Sequence, residues 1–321
     1  MIVLAILAAT LLPSSNGLLR PFSYCFACDF RWLADALLNV GLFLPFGLAG
    51  GWRGKSFWKV AIAGALLSTA IELLQLFVPG RDPELRDILA NTAGAALGAA
   101  LVYRPRAWLF PSARRAAWLV GATTLVLFAV VACTALLLAP AQAQEALSVS
   151  RVDGDAVVRY QSRADVAGLD EPAYYVRRMF SGALPNGRVH VDVSHRWTGW
   201  CLRAATVERC QIGPTLGRGW AALIYPAAAA HRWADALIDI AWTAVLFFPL
   251  GFWTTRRSLA LSLGAAIVLL GVAPALVGLV PTTPGEWVGG GASIAAGYAI
   301  AGALRRGQGK LKQGGGWRVE G

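Results

Sequence analysis

The sequence predicts an all-α polytopic membrane protein of about eight transmembrane helices, with a small exported β-rich domain inserted between spans five and six. Three observations predict it. Hydrophobic residues make up 56% of the 321 and charged residues only 15%, with a mean hydropathy of +0.54; a soluble domain carries roughly a quarter charged residues. The apolar residues fall in blocks long enough to cross a bilayer, which takes about 20 residues each. One long polar stretch, residues 141–231, breaks the series of blocks.

Taken in order, the candidate spans are 1–19, 33–52, 57–79, 86–103, 116–139, 233–254, 258–280 and 286–304. The first is interrupted by Pro13 and a polar "SSNG". It lacks the positively charged start and small-residue cleavage site of a secretory leader, so it reads as a short span. The net charge of +11 is a topology signal. Arg53, Lys55 and Lys59 follow span two, Arg104, Arg106, Arg114 and Arg115 follow span four, and Arg256 and Arg257 follow span six. Arg305, Arg306, Lys310, Lys312 and Arg318 follow the last span. Basic residues in alternate loops mark the cytoplasmic side and put both termini there. No basic-aromatic face stands apart from these loops, which excludes nucleic acid as a partner.

The segment "RRAAWLVGATTLVLFAVVACTALLLAPAQAQEA" has a basic start, a long apolar core and then small residues, the pattern of an uncleaved signal-anchor. Residues 141–231 after it are therefore expected outside. "DAVVRYQS", "GRVHVDVS" and "WCLRAATVERCQIG" alternate with period two between turn residues, which suggests short strands. A domain this small is helped by a staple, and Cys201 with Cys210 is placed to close a hairpin. Cys25 and Cys28, in "YCFACDF", form a possible local disulfide in the first exported loop; bridging to the β-rich domain is the alternative. No second ligand pair accompanies them, so no metal is expected, and no motif calls for a cofactor. Cys133 is expected as a small buried hydrophobe in span five.

An internal repeat is visible. "RWLADALLNVGLFLPFGLAGG" from Arg31 returns as "RWADALIDIAWTAVLFFPLGF" from Arg232, and the following segments match in pattern. This predicts a degenerate three-helix repeat of residues 31–106 at 232–306, followed by a flexible basic tail at 307–321. Aligned on "VP", Glu72, Gln75 and Arg81 become Pro274, Val277 and Thr283, and Asp87 and Asn91 find nothing more polar than Ser293. Chemistry is expected from the first copy alone.

That copy carries a polar constellation inside an apolar setting. Residues three and four apart share a helix face, so Glu72 and Gln75 point together, and Asp87, Asn91, Gly94 and Gly98 form one stripe. Gly94 and Gly98 let another helix approach backbone to backbone. Asn39 adds an amide from span two, while Pro45 and Gly47 loosen that helix. Arg81 and Arg86 stand ready as capping cations. A carboxylate buried in lipid is costly and marks a functional site by default. The expected object is a polar pocket just under the outer face, with Asn39, Glu72, Gln75, Arg81, Asp87 and Asn91 as ligand-binding residues. Glu72 and Asp87 are the candidate catalytic carboxylates. The competing reading is a hydrogen-bonded clasp between helices.

The motifs "NVGLFLPFG", "IELLQLF" and "GRDPELRDILANTAGAALG" resemble the VanZ-like family of bacterial membrane proteins. The matching positions are Asn39, Phe43, Pro45, Gly47, Glu72, Gln75, Arg81, Asp87, Asn91, Gly94 and Gly98. The resemblance covers roughly residues 1–140, a five-helix membrane domain. It implies a cell-envelope role; the family's founding member is associated with resistance to the glycopeptide teicoplanin. The function expected is binding of an anionic lipid or lipid-linked glycan head group. Membrane lipids, and lipid-linked glycan or envelope-assembly proteins, are the expected partners. A membrane enzyme acting on a lipid-linked sugar or phosphate is the first alternative, and a scaffold for exopolysaccharide or cell-wall machinery is the second.

Overall fold

The computed structural model describes residues 1–13, 17–27, 31–103, 105–139, 147–152, 154–166, 169, 173–180, 190–204, 206–218 and 232–314. The order of elements is α1 (Ile2–Leu11), α2 (Trp32–Trp52), α3 (Phe57–Gln75), α4 (Leu85–Tyr103), α5 (Pro105–Leu109) and α6 (Ala113–Leu138). Strands β1 (Leu147–Val152) and β2 (Asp155–Tyr160) follow, then α7 (Arg163–Val166) and β3 (Ala173–Val176). Next come β4 (Val191–Arg196), β5 (Gly199–Ala204) and β6 (Val207–Ile212). The C-terminal helices are α8 (Arg232–Trp253), α9 (Leu259–Ile267), α10 (Ala273–Leu276) and α11 (Pro284–Gly314), with a π-helical turn at Val268–Val272 joining α9 to α10.

Seven helices among the described residues are long and apolar enough to cross a membrane, and the chain is a multi-pass membrane protein. The eighth expected span is not one. Its helix, α1, has 10 residues and at 1.5 Å per residue reaches about 15 Å, half the hydrocarbon thickness. Pro13 removes a backbone donor immediately after the helix.

The chain divides into two compact units, Met1–Ala107 with Asp165–Asp170, and Trp108–Ala164 with Glu171–Gly321. In the first unit, α2 and α4 cross with their backbones in contact. A Cβ at Gly47 would strike the Ala95 carbonyl, one at Gly94 the Val40 carbonyl, and one at Gly98 the Leu44 carbonyl. Only glycine permits that approach, and in lipid such close packing drives helix association. Gly47, expected to loosen α2, lies in this contact. Pro45 sits inside α2 without ending it. Helix α3 starts on a Ser56 cap, whose Oγ accepts from the Lys59 N–H. Ile6, Phe43, Ile71 and Ala95 are buried together at the centre.

In the second unit, six strands form two three-stranded antiparallel sheets, β1-β2-β3 and β4-β5-β6; the alternating stretches of the sequence supply β2, β4, β5 and β6. Val158, Tyr160, Tyr174, Met179, Trp200 and Leu202 pack into one core. Cys201 and Cys210 form the expected disulfide between β5 and β6. Cys25 is disulfide-bonded, and Cys28 lies outside the described residues. Cys133 departs from expectation: it is a free, exposed thiol on α6. Helices α8 and α11 cross on glycine as α2 and α4 do. A Cβ at Gly251 would strike the Ile294 carbonyl, and one at Gly297 would meet the Phe248 carbonyl.

Candidate functional site

Helix α4 begins in the middle of a polar turn, and the residues around it were bound to seek partners because lipid supplies none. The Glu84 N–H, at the start of α4, donates to Glu72 Oε2 at 2.8 Å. Glu72 is 2% exposed, so its carboxylate acts as a buried cap on a helix N-terminus, where an orphan N–H and the helix dipole both favour an anion. One turn further in, the Asn91 Nδ2 amide donates to Ser68 Oγ at 2.9 Å, with both residues buried. These two bonds fasten α4 to α3.

The C-terminal end of α1 is held in the same way by other members of the constellation. Gln75 Nε2 donates to the Thr10 carbonyl at 2.9 Å. Arg81 Nε donates to the Leu12 carbonyl at 2.8 Å, and its Nη2 to the Ala9 carbonyl at 3.1 Å. The last carbonyls of a helix have no partner of their own, and a guanidinium beside them also meets the negative end of the dipole. Arg86, 6% exposed, donates to the Phe26 carbonyl at 3.3 Å. It is ion-paired with Glu84 and lies 3.7 Å from Asp87.

Between α1, α2 and the start of α4 lies a cavity of about 920 Å³. Its polar lining includes Asp35, Asn39, Gln75, Arg81, Asp82, Glu84, Arg86 and Asp87, and its apolar lining includes Ile2, Ile6, Leu38, Leu42 and Pro45. Asn39 hydrogen-bonds the Asp87 carboxylate. Gln75 is 7% exposed, and its Oε1 has no hydrogen-bond partner among the described residues. The volume falls within the range of small-molecule sites, which are mostly apolar with a few convergent polar groups.

Of the residues singled out in the sequence, Asn39, Gln75, Arg81, Asp87 and Pro45 line this cavity. Glu72, Asn91, Gly47, Gly94 and Gly98 do not; they build the helix contacts behind it. Asp35, Asp82 and Glu84 also line it and were missed. Asp35 was legible, since it stands four residues before Asn39 on the same helix face. The contribution of α1 was hidden because that segment was read as a span.

The C-terminal helices also hold buried acids, contrary to the expectation of an empty second copy. Glu286 is 0% exposed and Asp239 4%. Thr283 and Glu286 form a capping box at the start of α11: the Thr283 N–H donates to Glu286 Oε2 at 2.7 Å, and the Glu286 N–H to Thr283 Oγ1 at 3.3 Å. The signal was the "TPGE" of the sequence, with proline at the first helical position. Alignment on "VP" concealed it.

Residues 2–111 match the family model described as VanZ/LLP1. No curated protein and no solved structure matches the chain.

Proposed function

We propose, on the premise that residues 2–111 make this chain a member of the VanZ/LLP1 family, that it binds the head group of an envelope amphiphile, a lipid or lipid-linked glycan. The cavity between α1, α2 and α4 would be the binding site. The observation that carries the reading is the mixed lining: charged and amide groups line the same cavity as Ile2, Ile6, Leu38, Leu42 and Pro45. A molecule with a polar head and an apolar chain satisfies both kinds of group at once, whereas a wholly polar or wholly apolar ligand leaves one kind uncompensated. The positive-inside pattern of the loops supports an inner-membrane location with the α3–α4 turn and the β region outside and the C-terminal tail inside.

Catalysis by Glu72 draws less support. Its carboxylate caps α4 and does not line the cavity, so an acid-base role would fall to Asp87. The anionic head group expected from Arg81 also loses support, because that guanidinium is bonded to the carbonyls of Ala9 and Leu12.

The test is a cavity-filling substitution. Gly41 lines the cavity, and a Cβ added there meets nothing within 4 Å, so Gly41→Trp enters open space without displacing backbone. Lipid extracts of the purified wild type, analysed by mass spectrometry, are expected to contain an amphiphile near one per protein that Gly41→Trp loses at unchanged thermal stability. Identical extracts from the two proteins would refute the cavity as the site.

A further inference from the structure

The charged groups that line the cavity between α1, α2 and α4 are held by the chain itself. Arg81 is bonded to the carbonyls of Ala9 and Leu12. Arg86 is ion-paired with Glu84 and lies 3.7 Å from Asp87, which Asn39 also hydrogen-bonds. Arg20 pairs with Asp82 at 3.0 Å, and Asp35 has a partner within the chain. A ligand that relied on charge would have to break such pairs, and breaking a buried pair leaves its other member uncompensated. Charge is not what this lining offers a head group.

Gln75 differs. It is the last residue of α3, is 7% exposed and lines the cavity. A carboxamide carries both donors and an acceptor. The donor side is engaged: Nε2 reaches the Thr10 carbonyl of α1 at 2.9 Å, and Thr10 is itself buried at the cavity lining. That bond fixes which way the amide faces, because only an N–H can meet a carbonyl. The other atom, Oε1, is a buried acceptor with no hydrogen-bond partner among the described residues. Keeping an acceptor from water without a donor is costly, and a ligand that supplies the donor recovers that cost.

The chemistry of the donor follows from the neutrality of the amide. A cation placed here would lose its hydration and find an uncharged acceptor beside carboxylates that already have partners. An anionic oxygen has no hydrogen to give. A neutral hydroxyl donates to Oε1 and disturbs none of the ion pairs.

We infer that the cavity selects a lipid whose head group bears neutral hydroxyls, as a sugar or polyol does, and that Gln75 Oε1 accepts one of them. This rests on the proposed cavity site and adds the chemistry of its ligand, with Gln75 as the residue that sets specificity. The lipid chain runs along Ile6, Leu38 and Leu42 of the same lining.

The experiment is lipid competition. The full chain is reconstituted in nanodiscs containing equal parts of monoglucosyldiacylglycerol, its per-O-methylated form and phosphatidylethanolamine, all with identical acyl chains. It is then released and examined by native mass spectrometry. The methylated sugar keeps the ring without O–H donors, and phosphatidylethanolamine brings N–H donors on a charged amine. Monoglucosyldiacylglycerol is expected to be retained about tenfold over each of the others, the factor expected where one hydrogen bond satisfies a buried acceptor. The preference should vanish in Gln75→Met, which keeps the side chain's length and loses its acceptor. The wild-type ranking stands as a test even if that variant does not fold, and an undiminished preference in folded Gln75→Met would remove Gln75 from the role. Preferred retention of phosphatidylethanolamine, or equal retention of all three that Gly41→Trp abolishes, would overturn the hydroxyl and leave the cavity site standing. No lipid retained by the wild type, or none lost on Gly41→Trp, would overturn both.

Discussion

At the scale of single residues, the question raised by Glu72 has a structural answer. A carboxylate 2% exposed in a lipid-facing bundle is sustained because it accepts the Glu84 N–H at the start of α4. Removing it leaves that donor buried without its acceptor, at a cost of about 1–3 kcal/mol. Glu72→Ala is therefore expected to lower thermal stability in detergent by that amount, while Glu72→Gln, which keeps an acceptor oxygen, costs about half as much or less. Both should retain the cavity amphiphile. Loss of the amphiphile in Glu72→Gln at wild-type stability would assign the carboxylate a chemical role after all. The residue types were legible in the sequence, because buried polar groups in an apolar run announce themselves. Their division into cavity wall and helix clasp was not, since Gln75 and Glu72 share a face and differ only in what the neighbouring elements bring to them.

At the scale of elements, the α2–α4 crossing positions the whole cavity. The spacing of Gly94 and Gly98 by four is a local signal of a close helix contact, but it does not say that α2, through Gly47, is the partner. Gly94→Ala puts a Cβ on the Val40 carbonyl and is expected to cost about 1–3 kcal/mol as the helices separate. Gly41→Ala, on the same helix pair but facing open space, should change stability by no more than about 0.5 kcal/mol. Thermal unfolding of the two variants side by side checks the contrast; equal effects would mean the crossing is looser than the structure shows. Helix α1 was misjudged for a reason of length. Its apolar run continues past Leu11 in sequence, but Pro13 and the capture of the Ala9, Thr10 and Leu12 carbonyls by Gln75 and Arg81 end it at half a bilayer.

At the scale of the whole molecule, the membrane class, the β-rich insert and the Cys201–Cys210 staple followed from composition and alternation. The second set of acids did not, because Asp239 and Glu286 meet only through a register that sequence landmarks shift by one turn. The shared "ADAL" aligns Asp35 with Asp235, whereas the glycine contacts align it with Asp239. The central claim is that the cavity is a ligand site, and photocrosslinking in native membranes tests it most directly. A photoreactive residue at Leu38, which lines the cavity, is compared with one at Leu101, an exposed position on α4 that does not line it. An amphiphile is expected to be enriched at Leu38 and absent from the Leu38 adducts once Gly41→Trp is added. The same lipid adducts at both positions, unchanged by Gly41→Trp, would contradict it.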